Sequence, residues 1–227
     1  LTTTSGTGTI SLTTTSGELG VNTGLVGGDV NLDSAGNLAL SHGVTGSTVA
    51  LASAGNITQT AGGIITAGTL SGSSVGSTTL NQANVITNLG NFTAAGFSLT
   101  SAHALTVAGA LDGGASTALK TTAGDLAINN AVKGTTTTLT SAGSISEGSG
   151  GSITASTLSG KSTGATALNG VNHIGTLGSF SAANFALTNA QTLAVTGLVN
   201  GGSGVALTTT AGDLAINGAV NGTTTTL

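Results

Sequence analysis

The sequence predicts an all-β fold, a parallel β-helix (β-solenoid) with about 20 residues per coil. Three observations carry this. Residues 53–139 align onto residues 141–227 at a constant offset of 88 with no gap, and about six in ten aligned positions are identical. Short apolar alternations are separated by Gly, Asn and Ser at regular spacing. Good surface helix formers are scarce: charged residues make up 4%, while Gly numbers 39 of 227. Ungapped repetition over that length means that each unit sits on its neighbour in the same pose.

The chain divides into a worn partial unit (1–52), a full unit (53–140) and a second (141–227) of one rod. AGNLALSHGVTGSTVAL (35–51) lies 88 residues before AGDLAINNAVKGTTTTL (123–139). Because the chain starts and stops inside a unit, it reads as a window cut from a longer protein. Disorder is opposed by a mean hydropathy of +0.39 and a net charge of only −4. Proline is absent where about eleven would be expected at average usage. A strand with neighbours on both sides loses a ladder bond wherever an N–H is missing, which gives that absence a structural reason.

Within a unit, the apolar residue after each small or polar turn marks a coil: Leu19, Leu38, Ile57, Ile86, Leu105, Leu126, Ile145, Ile174, Leu193 and Leu214. The steps are 19, 19, 29, 19, 21, 19, 29, 19 and 21, so an 88-residue unit reads as about four coils, one of them long. The extra residues are expected near Gly68–Ser77 and Ser156–Ala165; a five-coil division is the alternative. Alternation places Leu105 with Val107, Leu126 with Ile128, Leu193 with Val195 and Leu214 with Ile216 on the inner face, joined by Leu139. These aliphatic residues form the expected core. A coil cannot bury its apolar face alone, so stacking must complete it. The expected rod is narrow, and the only aromatics are Phe92, Phe97, Phe180 and Phe185. Thr135–Thr138, Thr223–Thr226, Asn129 and Asn217 are candidates for side-chain ladders between coils. Asp125 and Asp213, both in TTAGDLAIN, are expected as turn caps.

The pattern AGDLAINNAVKGTTTTLTSAGSISEGSGGSITASTLSG resembles the central repeats of filamentous-haemagglutinin-like exoproteins, large bacterial surface and secreted proteins of the two-partner secretion type. The resemblance covers the whole sequence and lies in repeat style, with no catalytic signature. It implies a right-handed helix, export through an outer-membrane transporter, and a role as an adhesin or structural fibre at the bacterial cell surface or in the extracellular matrix. The family's N-terminal secretion domain is not visible in the sequence.

No constellation points to catalysis. His42, His103 and His173 fall at different phases of the coil; the 88-residue offset maps His103 to Gln191 and His173 to Val85, so no zinc site recurs. Asp125 and Asp213 lie several coils apart and cannot act as an acid/base pair. Gly27-Gly28-Asp29-Val30-Asn31-Leu32-Asp33 resembles a calcium-binding nonapeptide, but its counterparts GGASTAL and GGSGVAL have lost the acids. Gly6-Thr7-Gly8 and Gly148-Ser149-Gly150-Gly151 lack the Lys and the helix of a phosphate loop. Three Lys, no Arg and a pI near 4.9 argue against nucleic acid. Asn56, Asn91 and Asn221 head N-x-Thr triplets that chance supplies in a Thr-rich chain. Cysteine is absent, which excludes disulfides and thiolate metal sites. No apolar run approaches a membrane span.

The expected function is that of a structural rod in a bacterial surface or extracellular fibre, an adhesin or biofilm matrix protein that self-associates laterally or end to end. No catalytic residue, cofactor or metal is expected. The first alternative is an ice-binding Thr-rich solenoid; the second is a carbohydrate-active β-helix enzyme, which the absence of Arg and the non-recurring Lys120, Lys133 and Lys161 disfavour.

Overall fold

The computed structural model describes residues 6–227 and contains strands, turns and bends but no helix among them. The first five residues of the partial unit lie outside the described residues. All 25 strands belong to one continuous sheet, and every pairing is parallel. Each inner coil therefore hydrogen-bonds to the coil before and the coil after it.

One ladder can be followed from end to end. It runs through Thr9, Asp29, Thr48, Thr69, Asn88, Thr106, Ala127, Ser146, Ala167, Ala186, Ala206 and Thr226. That is eleven steps over 217 residues (226 − 9), or 19.7 residues per coil. At about 4.8 Å per step the rod is about 50 Å long. A second ladder runs through Gly20, Ala39, Thr58, Thr79, Ser98, Ala118, Thr138 and Ser159. It continues from Thr157 through Thr176, Ala194 and Ala215. Both chains of residues alternate with inward neighbours, so the period of two that appears in the sequence builds the core.

The core is a single apolar column, mostly aliphatic. Leu38, Ile57, Ile86, Leu105, Val107, Leu126, Ile128, Leu139, Ile145, Ile174, Leu193 and Val195 are all buried. Leu19 and Leu214 are half-buried and Ile216 is 40% exposed, against the expectation that all three are core. Leu19–Val21 pairs only with Leu38–Leu40, and Leu214–Ile216 only with Leu193–Val195, so each has one open side among the described residues. Burial in a solenoid requires a coil on both sides, and alternation along the chain does not report that.

The long coil dissolves into ordinary ones. Ile57 stacks on Thr78, 21 residues on, and not on Ile86. Residues 68–77 and 156–165 hold no inserted loop; strands Ile65–Ser74 and Ser152–Ser162 are paired on both sides there. Ile57–Gln59 belongs to the second ladder, whereas its counterpart Ile145–Glu147 belongs to the first. Leu105–Val107 and Leu193–Val195 are likewise split, as are Gly96–Ser101 and Phe185–Asn189. The 88-residue unit thus spans four and a half coils, and each 29-residue step is a coil and a half. Corresponding residues of the two units lie half a turn apart around the rod.

Leu126 stands at mid-rod, fully buried between Leu105 and Ile145. Leu126→Asp is expected to lower stability by about 3–5 kcal/mol, because a carboxylate there has no partner. Chemical denaturation checks this, and a near-wild-type midpoint would remove Leu126 from the core.

Candidate functional site

The built polar features of this rod are of two kinds, corner ladders and half-turn junctions. The corners come from the turn sequence Ser-Ala-Gly-Asn and its variants. Ser34, Ser53 and Ser74 stack in register at the ends of their strands, as do Ser101, Thr121, Ser141 and Ser162; all are buried. Ser53 Oγ donates to the Gly36 carbonyl at 2.7 Å and accepts from Gly55 N at 3.1 Å. Ser141 Oγ likewise lies within reach of the carbonyls of Ser144 (3.0 Å) and Gly124 (3.1 Å), which share its one proton, and accepts from Gly143 N. These hydroxyls pair the backbone groups that a sharp corner turns away from the sheet.

The Asx residue after each such Gly acts between coils and not within its own turn. Asn37 Oδ1 accepts from Asn56 N at 2.9 Å, Asn56 Oδ1 from Ser77 N at 2.8 Å, and Asp125 Oδ1 from Ser144 N at 2.7 Å. Asp125 is thus a bridge to the next coil, a correction to its expected role as a cap of its own turn. Asp213 occupies the same place, exposed in the last described coil. Asn129 and Asn217 are also exposed, and neither side chain forms a ladder. Of the Thr candidates, Thr138 Oγ1 approaches Ser159 Oγ at 3.4 Å; Thr224–Thr226 are exposed. Thr137 points inward, is fully buried, and its hydroxyl has no partner.

The half-turn offset is made at two long strands, Ser77–Thr93 and Thr166–Ser181. Before the first, the three-residue strands Leu38–Leu40 and Ile57–Gln59 occupy the second ladder; after it, Leu105–Val107, Leu126–Ile128 and Ile145–Glu147 occupy the first. The register slips at Leu99/Ser101 and again at Leu168/Asn172. A slip frees backbone groups inside the rod, and one side chain gathers them. Asn84, fully buried, sets the two protons of Nδ2 among the carbonyls of Leu80 (3.0 Å), Gln82 (3.1 Å) and Thr100 (3.1 Å), all within hydrogen-bond reach, and its Oδ1 accepts from Ile65 N at 2.8 Å. Asn172, 88 residues on, repeats this with Leu168, Gly170, Thr188 and Ile153. Against each Asn lies the side chain of the coil before it, Gln59 in one unit and Glu147 in the other.

All four phenylalanines stand at these junctions. Phe92 and Phe97 pack with ring centroids 4.8 Å apart, as do Phe180 and Phe185, each pair tilted. Gly72 and Gly160 make room for them; a Cβ at either would run into the carbonyl of Leu51 or Leu139 and press on the Phe92 or Phe180 ring. The alternation of apolar residues marks neither the phenylalanine pairs nor Asn84 and Asn172. The signal was there: Asn84, Phe92 and Phe97 recur once per unit at an offset of 88, as do the 29-residue steps.

Elsewhere the surface carries little charge. Asp112 and Lys133 form an exposed ion pair at 3.1 Å. The Gly114 amide bound to Asp112 Oδ1 at 2.9 Å, with Lys133 assisting, holds that carboxyl below its usual range. Such an exposed pair adds little to stability. Lys133 lies on strand Ala131–Ser141. Together with His173 and Gln191 the pair lines a shallow open groove. Among the described residues no three His, Asp or Glu side chains come together, and no helix is long and apolar enough to cross a membrane. No protein-family model, curated protein or solved structure matches this chain.

Three substitutions test these assignments. Asn84→Ala is expected to cost about 2–4 kcal/mol, since several buried backbone groups lose their partner at once. The exposed Asn129→Ala should stay within about 0.5 kcal/mol of wild type. Thr137→Val keeps the shape and removes the orphan hydroxyl, and should raise stability by about 1 kcal/mol. Denaturant midpoints read all three, and a loss of stability in Thr137→Val would mean the hydroxyl is paired.

Proposed function

We propose that this chain is a rod segment of a large bacterial surface or extracellular fibre, serving as the shaft of an adhesin or as biofilm matrix, of the filamentous-haemagglutinin-like kind. The observation that carries this reading is where the specific side chains are invested. The buried polar groups at Ser53, Ser141, Asn84 and Asn172 each bond a backbone group of a neighbouring coil, at Gly36, Gly124, Ile65 and Ile153 respectively, and the outer face is nearly uncharged. A stack of this kind extends by adding units, each completing the core of the last. It projects a tip or a ligand-bearing surface away from the cell at low cost in sequence complexity. The repeat style resembles exoproteins that leave the cell through an outer-membrane transporter, and that route is part of the proposal, as is lateral or end-to-end association of rods.

The outward positions fit a shaft better than an ice-binding plane. In three successive coils of the second ladder they read Ser116-Ala118-Lys120, Thr136-Thr138-Thr140 and Thr157-Ser159-Lys161, so Thr is interrupted by Ala and Lys.

Immuno-electron microscopy on the producing cells, with an antibody raised to residues 53–227, tests the reading. Label along thin filaments at or beyond the cell surface is expected. Label confined to the cell interior would overturn it.

A further inference from the structure

The two junctions are copies of each other apart from one replacement that changes their chemistry. In the first, Gln59 uses both ends of its amide. Its Oε1 accepts from Asn84 Nδ2 (3.2 Å) and Gln82 N (3.3 Å), and its Nε2 donates to the Gly63 carbonyl (2.6 Å) and Asn84 Oδ1 (2.7 Å). In the second, Glu147 stands where Gln59 stood. Its Oε2 reproduces the accepting end, bound by Gly170 N at 2.7 Å and Asn172 Nδ2 at 3.1 Å. Its Oε1 is buried and has no partner. That oxygen corresponds to the donating nitrogen of Gln59, and the groups corresponding to Gly63 and Asn84 Oδ1 are the Gly151 carbonyl and Asn172 Oδ1. Both are acceptors. An ionised carboxylate would set one oxygen against acceptors alone, whereas a carboxylic acid carries the proton that the site lacks.

We propose that Glu147 is held as the neutral acid and donates from Oε1 to the Gly151 carbonyl, so that the second junction is locked at acidic pH and loosens when the carboxyl ionises. The first junction, with an amide in the same place, does not respond to pH. Burial raises the Glu147 carboxyl above its ordinary value, against the opposing hydrogen bonds from Gly170 and Asn172. The titratable groups on the strands and turns packed around it are Asp125, Lys161 and His173; all three are exposed, and none acts on the carboxyl. The sign follows. The folded state binds this proton more tightly than the unfolded chain, so the stabilisation is complete below the ordinary glutamate range and is lost as pH rises through the folded-state value. Asp112, held low, works in the opposite direction and at more acidic pH. The segments released are the turn Gly148–Gly151 and the bulge Asn169–Val171, where Val171 is 66% exposed.

The test uses the whole chain. Carbon-13 NMR titration of the Glu147 carboxyl is expected to give a midpoint above the ordinary value of 4.5. Amide exchange is followed as a ratio, Gly170 and Ile153 against their counterparts Gln82 and Ile65, which cancels the intrinsic pH dependence of exchange. In the wild type the relative protection of the second junction should fall with rising pH. In Glu147→Gln it should become independent of pH, and in Gln59→Glu the first junction should acquire the dependence. A Glu147 midpoint at or below 4.5, or a pH-dependent ratio that survives in Glu147→Gln, would overturn the proposal.

Discussion

In a parallel solenoid every strand N–H and C=O is answered by the adjacent coil, so register between coils is the constraint on which everything else rests. The apolar column is thin, and the inward Leu, Ile and Val side chains need a coil above and a coil below to complete their burial. A single misplaced coil would expose apolar groups and strand backbone groups at the same time. Gly and small residues at the corners, the inward Ser stack, and the Asx bridges to the next coil all hold that register. The absence of proline is consistent with the same demand.

The half-turn junction is where the constraint is most severe. Four and a half coils per unit means that long and short strands must exchange ladders once per unit, and the exchange puts register slips beside buried side chains. Asn84 and Asn172 answer this with one carboxamide each, which offers both donors and acceptors in a compact group. The tilted phenylalanine pairs sit beside them, and Gly72 and Gly160 open the space that the rings fill. As a consequence, any surface feature encoded once per unit is presented alternately on two sides of the rod, about 22 Å apart along its axis at about 4.8 Å per coil. A rod built this way has no single privileged face.

Much of the architecture was legible in the chain. Strand content, coil length and the inward placement of Leu105, Leu126, Ile145 and Leu193 follow from the period of two and the turn spacing. The rest was not, for identifiable reasons. The apolar mark after a turn looks the same on either ladder, so Ile86 read as the next coil when it was a coil and a half on. Ser in SAGN looks like turn composition, because nothing local distinguishes a hydroxyl aimed inward from one in solvent. Asn84 looked like any polar residue in a Thr- and Asn-rich stretch; only its recurrence at 172 together with the phenylalanines marked it. Burial at Leu19, Leu214 and Ile216 depends on the number of neighbouring coils, which alternation along the chain cannot express.

The half-turn relation can be tested without a ligand or an activity. The chain has no cysteine, so introduced pairs report cleanly. Thr58 and Thr79 are both outward-facing and stack directly in adjacent coils, within the Cα separation a disulfide accepts. Thr58→Cys with Thr79→Cys should therefore cross-link on mild oxidation, whereas Thr58→Cys with Thr87→Cys, the pair that a 29-residue coil would stack, should not. Cross-linking of the second pair and not the first would contradict the four-and-a-half-coil register and the role of the junctions with it.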